Sequence, residues 1–165
     1  MYKIVRREQF SDNNFLWEVE APDVAASALP GQFIMVRLHE GSERVPLTVA
    51  DFDRERGTIT LVVQALGKTT QEMRDRYHEG DFFTDFVGPM GLPTHIGNVG
   101  HVVLVGGGRG VAPVFPQLRA YKEAGCKVTG IIGFRSKDLV FWEERFGPYC
   151  DDLIVCTDDG SYGKP

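Results

Sequence analysis

The sequence predicts two small folds in tandem, a six-stranded antiparallel β-barrel followed by an α/β unit built on a parallel sheet. Two observations carry that reading. Through the first half, short segments rich in β-branched and aromatic residues are separated by turn-prone clusters, the rhythm of a small closed barrel. From His101 onward the rhythm becomes strand, glycine-rich loop, helix, strand, and that alternation calls for parallel strands. The change falls between Gly97 and Gly100, dividing the chain into residues 1–98 and 99–165.

The barrel strands are expected over residues 2–10, 15–20, 32–38, 45–52, 58–66 and 81–87. Ser11-Asp12-Asn13-Asn14 turns the first pair, Pro30-Gly31 opens the third strand, and the charged run Asp53-Arg54-Glu55-Arg56-Gly57 turns the fourth into the fifth. Phe82, Phe83 and Phe86 are expected in the barrel core. Gly88-Pro89-Met90-Gly91-Leu92-Pro93 is expected to end regular structure. One helix interrupts the strands. Thr69-Thr70-Gln71-Glu72 has the capping-box pattern, with Thr69 as N-cap, and predicts a helix to Tyr77 or His78.

In the second half, Val102-Val103-Leu104-Val105 is a continuous apolar run, as expected of a parallel strand covered on both faces. Gly106-Gly107-Gly108-Arg109-Gly110 follows, then a helix over residues 112–124 that stops at Gly125. A second strand is expected over residues 127–134, a second helix over 136–146 with Asp138 near its start, and a third strand over 153–157.

Composition narrows the function. The chain has 165 residues, 42% hydrophobic and 25% charged, with formal net charge −5. That balance suits a globular protein and argues against a nucleic-acid partner, which needs a basic footprint. No stretch is apolar for long enough to cross a bilayer, and residues 1–10 lack the apolar core of a signal peptide, so a cytoplasmic protein without membrane contact is expected. Cys126, Cys150 and Cys156 have no short paired spacing, and His39, His78, His95 and His101 are scattered, so no metal site is expected. No residue stands out as a catalytic acid or base. Asp158 and Asp159 are adjacent and point to opposite faces of a strand, which favours a turn or ligand role over a catalytic pair.

Two segments point to phosphate. Gly108-x-Gly110, after a buried strand and before a helix, lets the backbone approach a ligand while the helix N-terminus supplies N–H groups and partial positive charge. The full G-x-G-x-x-G fingerprint is only partly met: Pro113 holds its third glycine position, and Arg135, rather than an acid, ends the second strand. An arginine there either meets a 2′-phosphate or lies in solvent, and the sequence leaves both open. Gly67-Lys68-Thr69-Thr70 ends like a P-loop, but Val62 stands where that motif needs glycine. It still offers a cation and two hydroxyls at a capped helix start, either a seat for a pyrophosphate or a plain helix start.

Six motifs occur in order: Pro30-Gly31-Gln32-Phe33, Arg44-Val45-Pro46-Leu47-Thr48, Gly67-Lys68-Thr69-Thr70, Gly88-Pro89-Met90-Gly91, the run from Gly106 to Pro113, and Thr157-Asp158-Asp159-Gly160-Ser161-Tyr162-Gly163. Together, over essentially the whole chain, this succession resembles the ferredoxin–NADP+ reductase superfamily. Within it the chain is most similar to the alpha (small) subunits of NADH-dependent ferredoxin–NADP+ oxidoreductase, also known as sulfide dehydrogenase subunits. The electron-transfer subunit of dihydroorotate dehydrogenase is a close relative.

The resemblance implies an FAD-binding barrel and an NAD(P)-binding α/β domain. Arg44, Pro46, Leu47 and Thr48 would line the flavin, with Arg44 near the pyrophosphate. Gly67, Lys68, Thr69 and Thr70 would carry the FAD phosphates. Gly107, Gly108, Gly110 and Pro113 would form the nicotinamide-nucleotide loop, with Thr157, Asp158 and Gly160 ending the third strand at the crevice where dinucleotides bind. The implied activity is electron transfer between NAD(P)H and a ferredoxin-type iron–sulfur protein through FAD, beside a larger redox partner subunit. The electron-transfer role in dihydroorotate dehydrogenase and a non-catalytic flavin-binding module that docks on a partner are the alternatives.

Two departures stand out. The superfamily places its arginine one position nearer the serine or threonine than Arg44 is to Thr48, and a one-residue shift on a strand reverses the face. The family also continues beyond the equivalent of Lys164-Pro165 with more of the nucleotide domain and a cysteine-rich [2Fe-2S] segment. The expectation is therefore a C-terminally truncated nucleotide domain, with the cluster in the missing segment.

Overall fold

The computed structural model describes residues 1–164, which divide into two compact units, Met1–Pro93 and the described residues from Thr94 onward. The first contains an antiparallel sheet of seven strands: β1 (Tyr2–Gln9), β2 (Asn14–Glu20), β3 (Phe33–Arg37), β4 (Arg44–Asp53), β5 (Thr58–Gln64), β6 (Phe82–Phe83) and β7 (Asp85–Met90). Their order is β6-β1-β2-β5-β4-β3-β7. The two strands at the ends of that order are separated along the chain by Thr84 alone, so the polypeptide joins the sheet's edges and curls it into a near-barrel.

The strand count is therefore seven rather than the expected six. The segment expected as one strand over residues 81–87 changes partner at Thr84. Phe82 and Phe83 pair with β1, whereas β7 pairs with β3. Thr84 makes the switch by donating its backbone N–H to Arg37 O at 3.0 Å and its hydroxyl to Leu38 O at 3.2 Å. Phe83 and Phe86 enter the core as expected, but Phe82 is 45% exposed because adjacent strand residues take opposite faces. Gly88-Pro89-Met90 does not end the regular structure; it continues β7. Pro89 is tolerated because β7 ends the sheet order, where a missing N–H breaks no ladder.

Alternation along the strands builds the core. Trp17, Val19, Ile34, Val36, Ile59 and Leu61 are all fully buried, with Met73 of α2 (Lys68–Arg76) packed among them. The sequence reading missed a six-residue helix, α1 (Pro22–Ser27), which is too short to show periodicity. The helix α2 starts one residue before the expected N-cap. Gly67 is the N-cap, and Thr69 lies inside the helix, buried, with its hydroxyl donated to Glu43. The capping oxygen belongs to Thr70, whose Oγ1 accepts the N–H groups of Leu66 and Gly67, both at 3.0 Å.

The second unit has three parallel strands, β8 (His101–Gly107), β9 (Lys127–Phe134) and β10 (Asp152–Thr157), in the order β10-β9-β8. Helix α3 (Val111–Glu123) packs on the sheet through Val111, Phe115 and Leu118 and stops at Gly125, whose φ of 88° suits only glycine well. The expectation that β8 is covered on both faces fails: Val103 and Val105 are 55% and 65% exposed.

The expected helix over residues 136–146 is also absent. A 3₁₀ turn at Lys137–Leu139 is followed by a four-residue helix, α4 (Glu143–Phe146), and another 3₁₀ turn at Gly147–Tyr149. Trp142 sits between them at φ 64°, a left-handed conformation that an α-helix cannot contain. Aromatic docking holds it there. Phe115 lies 5.6 Å from Trp142, 5.4 Å from Phe146 and 5.8 Å from Tyr149, centroid to centroid. Among the described residues no helix is long and apolar enough to cross a membrane.

Candidate functional site

In the first unit, the outer faces of β4, β3 and β7 form a platform. Along β4, Arg44, Pro46 and Thr48 are exposed, while Val45 and Leu47 turn inward and pack against the core. The spacing of four between Arg44 and Thr48 therefore keeps both on one face, and Leu47 meets that face only through its backbone. Strand register sets the neighbours. Arg44 lies opposite Arg37, which lies opposite Asp85; Pro46 lies opposite Met35, which lies opposite Val87; Thr48 lies opposite Phe33, which lies opposite Met90. The result is a largely apolar surface with charge at one end.

That charged end is a row of three. Asp85 Oδ2 accepts from Arg44 Nη2 at 2.8 Å and lies 2.8 Å from Arg37 Nε, and Oδ1 accepts from Arg37 Nη2 at 3.2 Å. Desolvation pushes the Asp85 carboxyl up, but the hydrogen bonds and charges of Arg37 and Arg44 together hold it below its ordinary value. The sign follows. A depressed carboxyl stabilises the fold above its unfolded pKa and loses that contribution as pH falls through the folded value. Melting temperature is expected to drop as pH falls below about 4, and Asp85→Asn should flatten part of that drop. An unchanged pH profile in the variant would contradict the assignment.

The start of α2 lies beside this row. The bond from Thr69 to Glu43 fixes the residue preceding Arg44 against the first turn of the helix. His39 Nε2 lies 3.1 Å from Glu72 Oε1 and makes a second tie. The first intrahelical bond runs from Gln71 N to Gly67 O, leaving the N–H groups of Lys68, Thr69 and Thr70 without an intrahelical acceptor. Lys68 is exposed. A Cβ on Gly67 would meet nothing within 4 Å, so space is open at the helix start. The two threonine hydroxyls are already engaged, Thr69 with Glu43 and Thr70 with the N-cap backbone. What the segment offers an anion is Lys68 and backbone N–H.

These donors fit FAD. An exposed guanidinium, an ammonium and helix N-terminal N–H groups suit a diphosphate, and an exposed apolar platform suits a planar ring. Sequence reasoning missed Asp85 and Glu43, whose roles depend on strand register and on a turn-to-helix contact.

In the second unit, the carboxyl ends of the parallel strands carry the remaining candidates, where ligands of open α/β sheets bind. Gly107, Gly108 and Gly110 each leave open space where a Cβ would stand. Gly106 does not: its Cβ would lie 2.8 Å from Val111 Cα and 3.0 Å from Gly110 O, so it alone lets β8 meet the start of α3. This position was missing from the sequence-derived set. Pro113 is the third residue of α3, in the first turn, where its absent N–H is not needed.

Arg135 and Asp158 are exposed and come together. Asp158 N donates to Phe134 O at 3.0 Å and Asp159 N to Arg135 O at 3.2 Å. Thr157 is buried, and its hydroxyl donates to Tyr162 O at 2.7 Å, so it closes the following loop. Gly160 and Gly163 give that loop φ values of 69° and 66°. A Cβ on Gly163 would fall 2.1 Å from Val155 O. Gly163→Ala should destabilise the second unit by roughly 2–4 kcal/mol, combining left-handed strain with overpacking, whereas Gly107→Ala should stay within about 0.5 kcal/mol. Equal denaturant midpoints for the two variants would contradict this. Among the described residues no group of three or more His, Cys, Asp or Glu is placed to hold a metal ion.

No family model matches the chain. A dihydroorotate dehydrogenase B (NAD(+)) electron transfer subunit homolog of Thermotoga maritima is 45% identical over 161 residues, covering 98% of this chain and 56% of that protein. The solved structure of an NADH-dependent reduced ferredoxin-NADP oxidoreductase, described for flavin-based electron bifurcation, superposes with a TM-score of 0.91 at 44% identity, covering 99% of this chain and 59% of that chain. A ferredoxin reductase of carbazole 1,9a-dioxygenase shares the fold, with a TM-score of 0.82 at 18% identity, covering 99% of this chain and 52% of the other. The chain thus spans somewhat over half the length of the proteins it matches. Along nearly its whole length the chain is similar to these reductases and electron transfer subunits, and it shares the fold of the ferredoxin–NADP+ reductase superfamily.

Proposed function

We propose that this chain is the FAD-holding and nicotinamide-nucleotide-binding part of an electron-transfer flavoprotein subunit that connects NAD(P)H with an iron–sulfur protein. The observation that carries the reading is the exposed Arg44 brought beside the free N-terminus of α2 by the Thr69–Glu43 hydrogen bond, at the edge of an apolar platform. In this reading residues 1–98 hold FAD and residues 99–165 take the nucleotide. Arg44, Lys68 and the N–H groups of Lys68, Thr69 and Thr70 hold the diphosphate, while Pro46, Thr48 and the Leu47 backbone face the ring. Gly107, Gly108 and Gly110 admit the nucleotide phosphates over the start of α3, and Arg135 and Asp158 flank its ribose. Bound FAD would supply acceptance of hydride from the nicotinamide and release of single electrons to an iron–sulfur centre. The protein's share is orientation and charge, and no acid or base is required of it.

NADH is the donor we favour, because the Thermotoga maritima relative is named for NAD(+) and the ferredoxin-NADP oxidoreductase is named as NADH-dependent. A larger partner subunit in the cytoplasm, a ferredoxin-type acceptor and a [2Fe-2S] cluster outside these residues complete the reading. The Thermotoga maritima relative supports a second version, in which the partner oxidises dihydroorotate. The test is anaerobic addition of NADH or NADPH to the FAD-loaded chain. Loss of the flavin's visible absorbance with NADH is the expected result. Stable FAD binding that neither nucleotide bleaches would reduce the chain to a cofactor-binding module.

A further inference from the structure

The row Arg44–Arg37–Asp85 contains two arginines directly opposite each other on paired strands, an arrangement that is repulsive by itself. Asp85 is the carboxylate that resolves it. It sits opposite Arg37 on the other side and engages both guanidinium groups, through Arg37 Nη2 at 3.2 Å, Arg37 Nε at 2.8 Å and Arg44 Nη2 at 2.8 Å. Arg37 is largely covered, with 23% of its side chain exposed, and is spent on this contact. Arg44 is 54% exposed and gives Asp85 only one Nη2 bond. Its remaining N–H groups are left for another acceptor.

We propose that Asp85 is a positioning residue for FAD: it clamps one edge of the Arg44 guanidinium so that the opposite edge is held ready for the diphosphate. This rests on the flavin reading given above and adds to it a residue that never touches the cofactor. The physical gain is pre-organisation, because an exposed arginine otherwise loses rotamer freedom on binding.

Two accounts make opposite forecasts. If Asp85 acted only through its charge, removing that charge beside a dianionic ligand would tighten binding. If it positions Arg44, removing it weakens binding. The experiment measures dissociation constants for FAD and for riboflavin, which lacks the diphosphate, by quenching of flavin fluorescence. Wild type, Asp85→Asn, Arg44→Ala and the double variant are compared, and the cycle isolates the coupling between the two residues.

The expected result is a loss of FAD affinity on the order of tenfold in Asp85→Asn, the scale of one charge-assisted hydrogen bond. Riboflavin affinity should not change, and Asp85→Asn should add no loss once Arg44 is alanine. FAD binding by Asp85→Asn as tight as wild type or tighter overturns the proposal. Parallel loss of FAD and riboflavin also overturns it, since that marks a purely structural role. If wild type takes up no FAD, the flavin reading itself fails and this inference falls with it, an outcome distinguished by the absence of binding in every variant.

Discussion

An Arg44→Ala/Lys68→Ala double variant is expected to lose FAD affinity by roughly two to four orders of magnitude while its melting temperature hardly moves. Each side chain is assigned one charge-assisted hydrogen bond to the diphosphate, worth about 1.5–3 kcal/mol, and 1.4 kcal/mol is about a factor of ten. The fold should tolerate the change because both side chains are exposed. The Arg44–Asp85 ion pair is solvent-screened at such exposure and adds little to stability, and Arg37 still neutralises Asp85 when Arg44 is gone. Titration of flavin fluorescence alongside thermal melting checks both halves. A loss of less than threefold would remove these residues from the diphosphate site.

The largest expected effect on stability is at Phe115. It is 2% exposed and sits at the hub of the second unit's aromatic cluster, with Arg145 4.6 Å and Arg119 5.6 Å from its ring centroid. Phe115→Ala should cost about 3–5 kcal/mol, enough to unfold a marginal unit. The chain's two tryptophans report separately, Trp17 from the first unit and Trp142 from the second. Denaturant unfolding followed at Trp142 should shift strongly in the variant and that at Trp17 should shift little. Uptake of FAD should survive while reduction by NADH is lost. Equal shifts at both tryptophans would mean that the units do not unfold separately.

Local signals fixed much of this fold in advance. The strand expected over residues 127–134 matches β9 residue for residue, and Gly125 marks the end of α3 one residue beyond the C-cap. Failures occur where distant residues decide. The division of one strand into β6 and β7 depends on Thr84 meeting Arg37 and Leu38 across the sheet. A helical pattern over residues 136–146 yields to the docking of Trp142 on Phe115. The capping signature at Thr69 gives way because Glu43, brought in by the preceding strand turn, takes its hydroxyl.

The candidate site was legible in the same uneven way. Glycines and the cation marked Lys68, Gly108 and Gly110 as phosphate candidates through local chemistry alone. Asp85 was invisible because its role depends on the register of three strands. Gly106 was passed over because only the backbone distance to Val111 shows why it must be glycine. Thr157 drew attention as a ligand-facing residue, but its buried hydroxyl holds the loop from Asp158 to Gly163.

The central claim is that the diphosphate of FAD lies between the start of β4 and the N-terminus of α2. The most direct test follows backbone amide resonances of the chain as FAD is added. The account predicts saturable shifts concentrated at residues 44–48 and 67–70, with riboflavin reproducing those near Thr48 but not those of Lys68 to Thr70. Saturable binding whose shifts leave both segments unmoved would contradict it.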